Sequence, residues 1–260
     1  MEDSFLNYKK LMDKIYQISR GNDNNVWSRL TISSKGSLSL CNDYENNIKK
    51  INNNVLKAKY NIEAYFKESE SSKKDLKILG EKFVKNNYKK CKMIYNNKYY
   101  KLNQNLSYDM IQKDNNIIKL QNISINNMTK LFNECKFVTN IEFYNWNTSN
   151  VLNMSHLFSN CSSLKLIMGL EKFNVSKVKD MKYMFYGCET LYKPTLKNWD
   201  ISNVEDISYM FSHLDRMMSL PDISKWKLDN VKNMEGLFSD CENLLKLPDI
   251  SNWNTKNVTN

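Results

Sequence analysis

The feature that most constrains this chain is a repeat running from about residue 123 to residue 260. Phe132, Phe158, Phe185, Phe211 and Phe238 are separated alternately by 26 and 27 residues. Trp146, Phe173, Trp199, Trp226 and Trp253 keep the same period, as do Val151, Val178, Val204, Val231 and Val258. A fixed period of this length describes units that bury their apolar faces against their neighbours along the stack. The expected fold is therefore α+β, a β/α solenoid of about five coils of 26–27 residues over residues 123–260.

Spacing suggests the elements of each unit. Val231, Met234, Leu237, Phe238 and Cys241 fall on one stripe of a short helix. Ser149, Ser176, Ser202 and Asp229 stand two residues before the valines, where a helix N-cap would sit. Ser202 is followed three residues later by Glu205, the pattern of a capping box. Leu244 to Leu247 reads as a short strand ended by Pro248, and Pro221 marks the same point one unit earlier. The predicted repeat core comprises Trp146, Val151, Met154, Phe158, Cys161, Val178, Met181, Phe185, Cys188, Trp199, Val204, Phe211, Trp226, Val231, Met234, Phe238 and Cys241.

The stretches "WNTSNVLNMSHLFSNCSSL", "FNVSKVKDMKYMFYGCETL" and "WKLDNVKNMEGLFSDCENL" carry this motif, and "WDISNVEDISYMFSHLDRM" is a looser copy. The pattern resembles the bacterial surface protein 26-residue repeat family, the BspA-like variety of leucine-rich repeat. The resemblance covers a little over half the chain. It implies a leucine-rich-repeat-like solenoid used in surface attachment or protein binding.

Charge divides the chain. Residues 1–120 hold 23 Lys and Arg against 13 Asp and Glu, whereas residues 121–260 hold 15 of each. The whole net charge of +10 thus lies before the repeats. Such a region either binds nucleic acid, an anionic membrane or an acidic protein, or presents a solvated lysine-rich surface. The opening residues lack the apolar run of a secretory leader, and no stretch approaches the ~18 apolar residues of a spanning helix. Absence of a leader points inside the cell; the family resemblance points to its surface.

Cys135, Cys161, Cys188 and Cys241 occupy one repeat column in which Leu214 takes the remaining place. A column shared by Cys and Leu reads as apolar core rather than as disulfides or metal ligands. The repeat opens partially, at Met128, Leu131, Phe132, Cys135 and Val138, and Asn260 stops one position short of the next methionine. More repeats are expected beyond it.

Ahead of the repeats, Phe5, Tyr8, Met12, Ile15 and Tyr16 share one helical face over residues 4–19. Tyr44, Ile48, Ile51, Val55, Ala58, Ile62 and Tyr65 alternate by four and three, a seam for either a short coiled coil over 41–66 or packing against the first helix. Residues 1–75 are read as this basic helical region and residues 76–122 as a β-rich cap. Within the cap, Cys91, Met93 and Tyr95, then Asn96-Asn97, then Tyr99 to Leu102 predict a β-hairpin.

No catalytic, cofactor-binding or metal-binding constellation emerges. His156 and His213 occupy variable repeat positions, and six glycines build no phosphate loop. Sequons at Asn122, Asn147, Asn153, Asn174 and Asn257 fall in an Asn-rich chain. Binding is expected on the strand face, at Thr139, Glu142, Lys165, Ile167, Tyr192, Lys193, Met218, Ser219, Leu245 and Lys246. The functional expectation is a non-catalytic scaffold for a protein partner. The alternative is an intracellular adaptor whose basic region, within residues 1–120, holds nucleic acid or an anionic membrane.

Overall fold

The computed structural model describes residues 55–113, 116–122 and 125–260. The chain divides into residues 1–52 and 53–260, and all the described residues belong to the second unit. The helix expected over residues 4–19 and the seam positions Tyr44, Ile48 and Ile51 lie outside the described residues.

A mixed six-stranded sheet opens the unit. Its strands are β1 (Val55–Tyr60), β3 (Cys91–Tyr95), β4 (Lys98–Lys101), β6 (Ile117–Asn122), β7 (Val138–Tyr144) and β8 (Leu166–Met168), in the order β4-β3-β6-β1-β7-β8. All neighbours are antiparallel except β7 and β8, which run parallel with Ile141 opposite Ile167. A small second sheet pairs β2 (Leu76–Lys77) with β5 (Asn105–Leu106). Helices α1 (Ile62–Ser69) and α2 (Glu81–Asn87) are short. The six-stranded sheet spans the boundaries expected at 75/76 and 122/123.

The expected heptad seam does not survive into this unit. Val55 and Ala58 lie in a central strand, with Leu56, Lys57 and Tyr60 also buried. A strand covered on both faces shows no alternation, so an apolar pair three residues apart passes for helix. Asn61 then starts α1, its Oδ1 accepting the Ala64 N–H at 3.1 Å. The hairpin at Asn96-Asn97 does form. Both asparagines have positive φ, 50° and 57°, as a two-residue type I′ turn requires.

The β/α solenoid of five strand-and-helix coils does not form. Among residues 125–260 the only helical segment is one 3₁₀ turn, Leu170–Lys172, and the only strands are β7 and β8. The supposed helices are pairs of β-turns. In the first, the Leu131 N–H reaches the Met128 carbonyl at 3.2 Å, with Lys130 at φ 59°. In the second, Cys135 reaches Phe132 at 3.0 Å, with Glu134 at φ 62°. Positive φ at the third turn residue is the signature of type II. The same left-handed positions recur at His156, Tyr183, Tyr209 and Gly236, and at Asn160, Gly187, His213 and Asp240. Successive four-residue turns send a side chain inward every three or four residues, and this spacing imitates a helical stripe.

Alternate N–H groups point to the next unit. Met154, His156, Phe158 and Asn160 donate to the carbonyls of Asp180, Lys182, Met184 and Tyr186 at 2.7–2.9 Å. Isolated parallel bridges join Asn127, Asn153, Asp180, Asp206 and Asn233 in sequence. Each of these Asn and Asp side chains also accepts the N–H two residues on, as Asn153 does from Ser155 at 2.9 Å. Ser202 and Glu205 form no capping box, because no helix starts there. Glu205 instead sits between Lys179, at 3.6 Å, and Lys232, at 2.8 Å.

The interior is a set of columns. The five phenylalanine rings stack with centroids 5.5–6.2 Å apart. Thiols of Cys161, Cys188 and Cys241 donate to the carbonyls of Phe132, Phe158 and Phe211 at 2.9–3.1 Å. Cys135, Cys161 and Cys188 are fully buried and none is in a disulfide. In the last unit Met234, Phe238 and Cys241 are only partly buried.

Candidate partner-binding face

The turn stack fixes what lies beside it. Beyond each Cys column the chain runs outward as Thr139, Lys165, Tyr192, Met218 and Leu245, one residue per unit. Backbone bonds join them in two groups, Thr139–Lys165–Tyr192 and Met218–Leu245, and the Arg216 N–H donates to the Glu189 carbonyl at 3.1 Å between the two units. Lys165 N–H donates to the Thr139 carbonyl at 2.8 Å, Tyr192 to Lys165 at 2.9 Å, and Leu245 to Met218 at 3.1 Å. The next column contains Lys193, Ser219 and Lys246, the last two joined by a parallel bridge.

Exposure sorts the predicted residues. Tyr192 is 45% exposed, Met218 54% and Leu245 79%, and Lys165, Lys193 and Lys246 are exposed between them. Large apolar groups held in water at regular intervals, with cations interspersed, form an amphipathic strip suited to another macromolecule's surface. Leu247, 45% exposed, shares the column of Ile141, Ile167 and Leu220, which are buried; its exposure belongs to the last unit and not to the strip.

Four predicted residues stand apart from the strip. Ile167 is 6% exposed and joins the core through its pairing with Ile141. Lys165 precedes β8 and does not set its phase; within Leu166–Met168 the alternation puts Ile167 inward, against Ile141. Thr139 is half-buried, its hydroxyl donating to the Lys59 carbonyl at 3.2 Å. Glu142 accepts the Tyr144 hydroxyl at 2.6 Å and lies opposite Lys57 in the sheet. Ser219 is half-buried within its bridge.

The basic excess has its own geometry. On one face of the sheet the buried Lys57 pairs across to Lys119, and Lys92 to Lys101. Lys57 Nζ lies 4.4 Å from the Tyr144 ring centroid, and Lys92 Nζ lies 5.9 Å from that of Tyr99. Burial holds the Lys57 amine down to about 8, and the nearby Glu142 carboxylate opposes that shift. Among the described residues no helix is long and apolar enough to cross a membrane.

A family model described as "Mycoplasma protein of unknown function, DUF285" matches residues 101–220 and 191–260. No curated protein and no solved structure matches the chain.

Proposed function

Because the chain belongs to the Mycoplasma DUF285 family of unknown function, we propose its role from its own surface: a non-catalytic scaffold of the adhesion type that binds a protein partner along the Lys165–Tyr192–Met218–Leu245 strip. The observation that carries this reading is the exposure of Tyr192, Met218 and Leu245 at the same position of three successive units. Tyr, Met and Leu offer large contact area, and the intervening lysines favour a partner with acidic groups among its apolar ones. The likeness of the repeat motif to BspA-like surface proteins supports the adhesion-type role.

The test is retention. Immobilised full-length chain and a Tyr192→Ala/Lys193→Ala/Met218→Ala variant are presented with protein from the cells that make the chain and from surfaces they contact. The reading expects a retained protein that the triple variant loses, with moderate sensitivity to salt. Equal retention by both chains would remove the strip from the account. Retention of nucleic acid or anionic vesicles, falling steeply and log-linearly with salt, would favour the lysine-bearing sheet face instead.

A further inference from the structure

A second surface, built from different repeat columns, sets stacked rings beside carboxylates. His156, Tyr183 and Tyr209 occupy successive left-handed turn positions, with φ of 55°, 56° and 53°. Their rings form a continuous pile, His156 on Tyr183 at 4.8 Å and Tyr183 on Tyr209 at 4.9 Å, both nearly parallel. In the next unit the position is Gly236, where an added Cβ would come within 2.3 Å of the Tyr209 ring. Tyr186 leans on Tyr183 at 5.2 Å and meets His213 edge-on at 5.0 Å. All five rings are half-exposed.

Bulky residues at positive φ are strained, on the order of 1–3 kcal/mol each. Stacking offsets part of that cost, yet Gly236 shows that the turn closes without a ring.

Carboxylates frame these rings. Tyr209 donates its hydroxyl to Glu235 at 2.6 Å, His213 Nε2 lies 3.4 Å from Asp240, and Asp180 and Asp206 flank Lys182 at 3.8 and 3.7 Å. Lys182 is the cation set among these four acids. Lys130 and Lys82 lie near His156 at the far end, and the Lys179–Glu205–Lys232 ladder adjoins the acids. Acids and lysines are thus interleaved along this surface, with Glu235 and Asp240 at its Tyr209 and His213 end. The bond to Glu235 pushes the Tyr209 phenol up to about 12.

We propose that the Tyr183–Tyr186–Tyr209–His213 surface, with Glu235 and Asp240, is a docking site for an arginine- and lysine-rich peptide segment. The chemistry matches on both counts. Aliphatic stems of Arg and Lys lie along aromatic surface while their cations reach carboxylates, and guanidinium groups also attract ring faces. This site shares no residue with the Tyr192 strip and stands independently of the function proposed for it.

The probe is a fluorescein-labelled octa-arginine peptide titrated with full-length chain at low ionic strength, with a glycine-serine peptide as control. Glu235→Gln/Asp240→Asn alters two exposed side chains, and Tyr186→Leu removes a ring while keeping apolar bulk. Each variant is expected to weaken octa-arginine binding about three- to tenfold, while Glu189→Gln/Glu242→Gln, in a neighbouring column, leaves it unchanged. Binding no tighter than the control peptide would overturn the proposal. So would equal losses from the Glu189/Glu242 pair, because the chain would then hold cations by diffuse charge alone. A normal unfolding midpoint for each variant excludes misfolding as the cause of a loss.

Discussion

The tryptophan column gives a comparison at the scale of single residues. Trp199 Nε1 donates to the Leu170 carbonyl at 2.8 Å, whereas Trp146 Nε1 is buried with no hydrogen-bond partner. Trp199→Phe loses a bond as well as area and should cost about 1–3 kcal/mol. Trp146→Phe removes a stranded donor, and the relief of about 1–3 kcal/mol sets off part of the lost packing. Chemical denaturation of both variants should place Trp146→Phe above Trp199→Phe; the reverse order would mean that Trp146 finds a partner in solution.

Buried thiols set the response to base. Burial pushes Cys91 up to about 12 and raises Cys135, Cys161 and Cys188 as well, from an ordinary value of 9.0. The stability that these neutral thiols contribute is whole below pH 9.0 and declines as the unfolded chain releases protons above it. Lys57 acts with opposite sign. Its amine is held at about 8 against an ordinary 10.5, so between those values the unfolded chain binds more protons and stability rises with pH. Burial lowers the Lys119 amine as well, and four thiols outweigh these two amines. The denaturation midpoint should therefore fall above pH 9.0, and Lys57→Met should flatten any rise just below that point.

At the scale of elements, Gly169 ends β8 at φ 91°, and a Cβ there would lie 2.4 Å from the Phe143 carbonyl oxygen. Gly169→Ala meets rigid backbone and a left-handed conformation together, so a loss of more than about 2 kcal/mol is expected. An unchanged midpoint would show that β7 and β8 pack less closely than this contact requires.

The same scale shows what the sequence makes legible. The hairpin could be read because Asn96-Asn97 announces two left-handed residues between alternating runs. The repeat and its inward columns could be read because burial repeats with the period; Phe158, Phe185 and Phe211 are fully buried. The secondary structure could not, because paired turns and a helix place inward residues at similar spacing. The missed signal was Asn160, Gly187, His213, Asp240 and Gly236 in fixed positions, several of them residue types that tolerate positive φ. Strand β1 was missed for another reason: burial on both faces erased its alternation. Along the Tyr192 strip, exposure of Tyr192, Met218 and Leu245 agrees with their positions in the repeat, while the phase of the short strand β8 hid the burial of Ile167.

At the scale of the whole unit, left-handed turns bonded to their neighbours hold both outer surfaces in register, the cationic Tyr192 strip and the aromatic pile bordered by Glu235 and Asp240. Helices would place these columns elsewhere. The most direct measurement compares Asn160→Gly with Asn160→Ala by chemical denaturation. Asn160 is exposed, with φ 58°. A left-handed turn predicts the glycine variant to be the more stable by about 1–2 kcal/mol, because alanine must place its Cβ against the following carbonyl. A helix predicts the opposite order by about 1 kcal/mol. Glycine above alanine supports the stacked turns; alanine above glycine would contradict them, and with them the register on which both surfaces depend.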